Sequence, residues 1–452
     1  MTEPDAGYRR VLSRLDATMI VIGSIIGGGI FFTPQAVART VGGSETLVLA
    51  AWGLGGLIAL TGALTYAELG GLFPRTGGVY VFLREAFGGL PAFLYSWAVL
   101  LVIAPGALAV VAGFFAELLC EAVGLGARAH TAVALLTIVS LVAVNIRGVR
   151  WGSTVQNAST AAKLLALVVL IGAGLAFTGE PAAPVPALLG AATPDVPASG
   201  PPAALLLAAM LPVLFSYGGW QNGTYVAGEM RDPERDVPAA IVIGTLVVVA
   251  VYVLVNVAAM RVLGPEGLAA TRTFAAEAAE RALGPPGRAL VTAGILVSTF
   301  GICAAIPLTN PRVVQATAAD GFFFAPFARL HARYRTPAWA IALLGVWACT
   351  LLLLGTAEQL LAAVVFADWV FFALCGIALF VFRRRRPDAH RPYRCAFYPW
   401  VPLLFTALAI VVAAGAWIHA DAHARRLGPG VLAAGALVYV LQTRRLRRAP
   451  GA

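Results

Sequence analysis

The stretch Asp16-Ala17-Thr18-Met19-Ile20-Val21-Ile22-Gly23-Ser24-Ile25-Ile26-Gly27-Gly28-Gly29-Ile30-Phe31-Phe32-Thr33-Pro34 decides how the chain is read. It is an apolar run of bilayer-spanning length, yet three consecutive glycines interrupt it. Each glycine costs about 1 kcal/mol relative to alanine inside a helix. Backbone groups freed at hydrocarbon depth are tolerated only where they are buried in protein or line a cavity. A membrane helix that stops and restarts is a candidate binding site rather than a plain anchor.

The rest of the chain supports a membrane setting. Its 452 residues are 60% hydrophobic and 12% charged, with a mean hydropathy of +0.84, a composition that excludes a soluble domain of this size. Apolar stretches of about 20 residues, the length that crosses hydrocarbon, recur from end to end. The pattern predicts an all-α polytopic membrane protein with twelve spans, near 16–39, 46–71, 88–117, 130–146, 155–177, 202–229, 237–262, 288–314, 337–355, 358–382, 398–419 and 428–443. The net charge of +10 would suit a nucleic-acid partner. The basic residues, however, sit in short loops between apolar spans, so no nucleic acid is expected and the bilayer is the partner. With the N-terminus inside, 23 Arg residues fall on the cytoplasmic side and eight outside, while Lys163 falls within a span. The positive-inside rule then puts both termini in the cytoplasm of a plasma-membrane protein. Residues 1–15 are polar, precede the first span without a cleavable leader and read as a cytoplasmic segment. Cys120, Cys303, Cys349, Cys375 and Cys395 form no metal or redox spacing, so neither metal nor cofactor is expected. Cys120 reads as a buried helix residue, and nothing signals an obligate partner chain.

The sixth span repeats the theme of the first. It reads Leu214-Phe215-Ser216-Tyr217-Gly218-Gly219-Trp220-Gln221-Asn222-Gly223-Thr224-Tyr225-Val226-Ala227-Gly228-Glu229. Spans one and six open two five-span blocks, and glycine-interrupted spans at matching places in two halves point to a transport site. A half-helix starting near Gly29 directs free N–H groups and positive dipole into the gap, which suits a carboxylate. Half-helices ending near Ile26 and Ser216 offer carbonyls and negative dipole, which suit an ammonium. A free amino acid satisfies both ends at once. Between spans, residues 178–201 are Pro/Ala-rich and read as irregular. Thr273 to Gly284 reads as a short amphipathic helix with Thr273 at its N-cap and Gly284 as its stop.

Three stretches carry a family resemblance. Gly23-Ser24-Ile25-Ile26-Gly27-Gly28-Gly29-Ile30-Phe31 resembles the first-helix motif of the amino acid–polyamine–organocation (APC) superfamily. Tyr66-Ala67-Glu68-Leu69, followed by Pro74-Arg75-Thr76-Gly77-Gly78-Val79-Tyr80, resembles its motif after the second helix. Phe215 to Trp220, with Gly228-Glu229-Met230-Arg231-Asp232-Pro233-Glu234-Arg235-Asp236-Val237-Pro238, is similar to the sixth-helix signature of the L-type amino acid transporters and their bacterial relatives. The resemblance implies ten core helices in two inverted five-helix repeats, 16–177 and 202–382, with discontinuous helices one and six. Residues 398–452 would supply two peripheral helices and a cytoplasmic tail. It further implies that the backbone around Gly27, Gly28 and Gly29 holds a substrate carboxylate. The carbonyls of Ile25, Phe215 and Gly218, with Ser216, would take the amino group, and Phe215 would gate the substrate. Two departures stand out: Val79 occupies a place where the family often has an acidic residue, and the first-helix tripeptide is all glycine where relatives often carry a serine.

Lys163, the single lysine, lies in Thr160-Ala161-Ala162-Lys163-Leu164-Leu165-Ala166-Leu167. A charged side chain at a helix centre costs about 2.5–3.5 kcal/mol on insertion scales. One reading is snorkelling to the interface. The resemblance implies another, in which the lysine takes the place of a sodium ion between the Gly23 carbonyl and Ser298 or Thr299, so that transport is sodium-independent. Glu68 and Glu229 are expected to pair with cytoplasmic Arg residues and contribute to an inner gate. Asp368 is expected to cap or hydrogen-bond within the bundle, leaving no acid placed to select a cationic side chain and favouring neutral amino acids. Proton-coupled uptake of amino acids or polyamines is the alternative within the class, and a membrane amino acid sensor the alternative outside it. An intramembrane enzyme is excluded, since His130, His331, His390, His419 and His423 sit at span ends or in loops and no acidic metal motif occurs.

Overall fold

A computed structural model describes residues 8–180, 200–271, 273–355, 357–419 and 422–448. The regular elements among these residues are all helices, with only an isolated bridge between Leu12 and Met230 besides. In chain order the α-helices are α1 Arg14–Ile25, α2 Gly29–Thr40, α3 Glu45–Leu72, α4 Val79–Phe87, α5 Gly89–Ala98, α6 Ala104–Val123, α7 His130–Ile146, α8 Val149–Ala176 and α9 Pro202–Tyr217. There follow α10 Asn222–Tyr225, α11 Pro233–Ala270, α12 Phe274–Leu283, α13 Pro285–Thr309, α14 Pro311–Ala319, α15 Ala325–Ala328, α16 Ala338–Leu354, α17 Ala357–Arg385, α18 Trp400–His419 and α19 Ala422–Arg448. Among the described residues, nine helices or joined helix runs are long and apolar enough to cross a bilayer. The first span is instead two half-helices of 12 residues each, and α16 is an apolar helix just short of that length.

Local chemistry sets the ends that matter. Ser13 and Asp16 form a capping box at the start of α1, with Asp16 Oδ2 accepting from the Ser13 amide at 2.8 Å. The box ties two otherwise orphan amides. At its other end α1 stops at Ile25, and the chain turns through Ile26 to Gly28 before α2 begins. No side chain caps α2; the Phe31 amide donates to the Gly28 carbonyl at 2.9 Å, which leaves the amides of Gly29 and Ile30 as the open ones. In the sixth span α9 stops at Tyr217 and α10 restarts at Asn222. Gly219 sits in that gap at φ +126°, and a Cβ there would lie 2.6 Å from the Ser24 carbonyl oxygen. Only glycine combines that backbone with that approach to the first break.

A five-residue π-helix, Val99–Ile103, joins α5 to α6. Its cause is readable: Pro105 has no N–H to offer Leu101, four residues back. The freed Leu101 carbonyl accepts from Trp347 Nε1 at 2.8 Å instead. The core lies where α3 and α11 pack side by side, with α1 wedged against α11 and α8 and with α13 along α8 and α6. Trp52, Tyr217 and Tyr252 meet there at ring separations of 5.0–5.8 Å, contacts worth about 0.5–1.5 kcal/mol each beyond area burial.

Several expected boundaries shift. α8 begins at Val149, earlier than expected, because Gly148 provides the turn and polar residues of the first turns face other helices. α4 lies where the sequence reading has a loop; its amphipathic nine residues bury Tyr80, Phe82 and Leu83. The amphipathic helix is α12, ended by Gly284. Thr273, however, does not cap its backbone: its hydroxyl donates to Glu277 Oε1 at 3.1 Å. α19 stays helical through Arg448, past the start of the expected tail. Most of the Pro/Ala-rich 178–201 stretch lies outside the described residues.

Candidate functional site

The two breaks face one cavity of about 860 Å³. Ile25, Gly27, Gly28 and Gly29 line it from the first break, and Phe215, Ser216, Gly218 and Gly219 from the sixth span. α6 supplies a wall from Ala104 to Glu117, α13 supplies Ile302 and Ile306, and α17 supplies Asp368, Trp369 and Phe372. The cavity extends past Phe114 and Glu117 to Leu352 and Gly355 at the end of α16, away from the N-terminal face. Phe215 stands 38% exposed in it.

The breaks are clasped by hydroxyls. Tyr252 Oη reaches the Ile25 carbonyl at 3.0 Å and the Ser216 carbonyl at 3.2 Å, so one phenol from α11 spans both breaks. Thr33 and Ser216 pair through their hydroxyls at 2.8 Å, and Ser216 also donates to the Pro212 carbonyl at 3.0 Å. The Ser216 hydroxyl, expected beside an amino group, is therefore already engaged with α2. A Cβ at Gly29 would stand 2.8 Å from it, so the all-glycine tripeptide permits this closeness. The Ile25 carbonyl keeps a second lone pair for a ligand.

Among the described residues, three polar atoms of the lining have no hydrogen-bond partner: Ser24 Oγ, Gln221 Oε1 and Asp368 Oδ1. Buried polar atoms are normally satisfied, so these are the groups a bound molecule would meet. Asp368 is the notable case, since the sequence reading has it bonded within the bundle. Sequence reasoning passed over Tyr252, Thr33 and Gln221. The signal for Tyr252 was present: Tyr252 and Asn256, four residues apart, mark a polar stripe on an apolar helix, and both are fully buried.

Lys163 is 0% exposed and does not snorkel. Its ammonium donates to the Gly23 carbonyl at 3.0 Å and the Ile26 carbonyl at 2.6 Å. An unbroken helix would bond both oxygens to amides four residues on; the break frees them, and the end of the α1 dipole adds to the attraction. Ser298 Oγ donates to the same Ile26 oxygen at 3.5 Å. Thr299 is not part of this cage: its hydroxyl turns back to Ile295 and Leu296 on its own helix.

On the N-terminal face the chain is closed. Val11 and Leu12 amides donate to the Glu229 carbonyl at 2.9 Å, and the Arg231 amide returns to Leu12 at 3.0 Å. The Glu229 carboxylate forms a two-pronged pair with Arg312 at 2.9 and 3.0 Å. Arg312, one of the 23 Arg residues that the sequence places on the cytoplasmic side, is 1% exposed within α14. Glu68 is likewise buried, held by Arg383 at 2.7 Å, Arg391 at 3.1 Å and the Cys395 amide at 2.7 Å. Burial and the neighbouring Glu68 carboxylate push the Cys395 thiol up to about 12. Since the thiolate is the reactive form, Cys395 should resist N-ethylmaleimide at pH 8 in the folded protein, and Glu68→Gln should speed its labelling, as mass spectrometry would show.

Paired helix breaks around a shared cavity, with a lysine caged at one of them, agree with what sequence comparison finds. The family described as "Amino acid permease" matches residues 12–440. The chain belongs to the amino acid permease family, within the APC superfamily. The permease is 31% identical over 416 residues to the serine/threonine exchanger SteT of Bacillus subtilis, covering 90% of this chain and 91% of that protein. It is 32% identical over 426 residues to the b(0,+)-type amino acid transporter 1 of Rattus norvegicus, covering 92% and 86%. It is 33% identical over 459 residues to the large neutral amino acids transporter small subunit 2 of Homo sapiens, covering 97% and 82%. The permease is thus a membrane transporter, not an enzyme. Among its described residues no three His, Cys, Asp or Glu side chains group as metal ligands would.

Proposed function

We propose that the permease carries neutral amino acids across the plasma membrane by alternating access, as a sodium-independent exchanger or facilitator. The observation that carries this reading is the meeting of both helix breaks in one cavity. The open amides of α2 suit the substrate carboxylate. The remaining lone pair of Ile25 and the carbonyls of Phe215 and Gly218 suit its ammonium. Twelve spans, two inverted five-helix repeats and cytoplasmic termini complete the proposal, supported by the charge asymmetry of the loops. The Glu229–Arg312 pair and the Glu68 cluster would form the inner closure, with the cavity accessible from outside.

Within neutral substrates, the unsatisfied acceptors Gln221 Oε1 and Asp368 Oδ1 favour side chains with a hydrogen-bond donor, such as serine or threonine. The name of the Bacillus subtilis relative agrees. Asp368 also supports the second reading, proton-coupled or cationic transport. Asp368→Asn separates the two: a neutral-substrate exchanger should keep exchange with selectivity altered by roughly tenfold or less, whereas a proton- or cation-coupled carrier should lose uptake. One relative is named a small subunit; Cys120 is buried within α6, which supports a permease working without a disulfide-linked partner.

The test is exchange of radiolabelled amino acids by purified protein in preloaded liposomes, with and without a sodium gradient. Exchange should proceed without sodium, and an absolute need for sodium would overturn the reading. Binding without exchange would identify a sensor. Phe215→Ala should lower exchange roughly tenfold, the value of one good aromatic contact.

A further inference from the structure

A second recess, of about 490 Å³, opens on the N-terminal face, remote from the substrate cavity. It is lined by Arg9, Arg147, Arg150, Arg333 and Arg335, together with Gly148, Val149 and Trp151. Glu229 is the single acid in the lining, and its carboxylate is already engaged by Arg312. Among the described residues, Arg147, Arg150 and Arg333 enter no ion pair with a carboxylate.

The backbone contributes in the same sense. α8, 28 residues long, begins at the recess with Gly148 as an N-cap that makes no side-chain hydrogen bond. The first amides of a helix have no intrahelical partners, and a helix of this length presents positive dipole there. Arginine concentration and an open helix N-terminus both ask for an anion with several acceptor oxygens. Trp151, next along α8, is 66% exposed, and Trp339, at the start of α16, is 63% exposed. Exposed tryptophans at helix ends mark headgroup level.

We infer that this recess is a binding site for a phosphate-type anion at the membrane interface, the phosphate of an anionic lipid headgroup being the source its position favours. The site joins three separate parts of the fold: Arg9 just before α1, the α7–α8 turn, and the segment between α15 and α16. Arg9 lies beside the Val11–Glu229 contact that closes this face. An anion held across all three would brace the closed face and favour the cavity's present opening on the other side.

The test uses the full chain in nanodiscs of phosphatidylcholine alone or with one-fifth phosphatidylglycerol, read by native mass spectrometry and thermal melting. A parallel arm adds inorganic phosphate or pyrophosphate to the phosphatidylcholine sample. The expected result is retained phosphatidylglycerol and a raised melting temperature, with apparent affinity falling at least ~10-fold in Arg147→Gln/Arg150→Gln/Arg333→Gln, since each arginine near an anionic surface matters by severalfold. The matching triple Lys variant should keep most of the binding, which separates lost charge from lost fold. Stabilisation by phosphate or pyrophosphate but not by phosphatidylglycerol, abolished by the Gln variant, would uphold the anion site with a soluble source and overturn the lipid. Equal response of wild type and the Gln variant to both anions would overturn the proposal.

Discussion

Lys163→Ala should abolish most exchange and lower thermal stability together. The ammonium holds two carbonyls, those of Gly23 and Ile26, which the first break deprives of amide partners. Hydrogen bonds to a charged donor contribute about 1.5–3 kcal/mol each, and a buried acceptor left bare adds its desolvation cost. A loss of about 3–5 kcal/mol follows, enough to let the end of α1 fray. Because α1 forms one side of the proposed substrate site, exchange should drop by at least ~10-fold even in the folded fraction. Lys163→Met keeps the volume but not the donors and should behave similarly in transport with less loss of packing. Lys163→Arg should not rescue, because a planar fork does not fit a cage built for a point charge. Liposome exchange beside melting of the detergent-purified variants reads both effects. Wild-type exchange rates in Lys163→Ala would reduce the lysine to a packing residue.

The second large effect is expected at Arg312→Ala. The guanidinium is buried against Glu229 and also holds the Leu308 carbonyl. Removing it takes the two-pronged partner from a carboxylate that is only 1% exposed, which costs about 3–5 kcal/mol for a buried pair broken on one side. Glu229→Gln alone should cost less, since the amide still accepts from Arg312. The double variant Arg312→Ala/Glu229→Gln should recover much of the loss, because no charge remains to be desolvated; the shortfall from additivity measures the coupling. Melting by size-exclusion chromatography would give the four corners of that cycle. Additive effects would show that the pair is not energetically coupled.

Much of this was legible in the sequence because glycine is costly at bilayer depth. The runs Gly27 to Gly29 and Gly218-Gly219 had no cheaper explanation than broken helices, and the structure breaks both spans there. Lys163 was legible for the same kind of reason, as an expensive residue at a conspicuous place. What escaped was whatever depends on side-chain direction across helices. Tyr252 lies on α11 and meets Ile25, 227 positions earlier in the chain, a distance no periodicity measures. Asp368 looked like a capping residue because sequence records neighbours along the chain, not the wall it helps to form. Arg312 reads from sequence only as one more cytoplasmic-side cation; it lies on α14, which follows α13 directly at Pro311, and charge alone does not reveal its partner.

The π-helix at Val99–Ile103 has a consequence for phase. Each residue of an α-helix advances the chain by about 100° around its axis, so the widened turn shifts the angular setting of everything after it. Ala104, Ala107, Val111 and Phe114, spaced three and four apart, form the α6 stripe that faces the cavity. Were the segment regular, that stripe would point to another neighbour and different side chains would look inward. The five residues act as a set-screw on the orientation of a whole wall. Deleting one residue between Val99 and Val102 would rotate that wall about the cavity without removing a single lining residue.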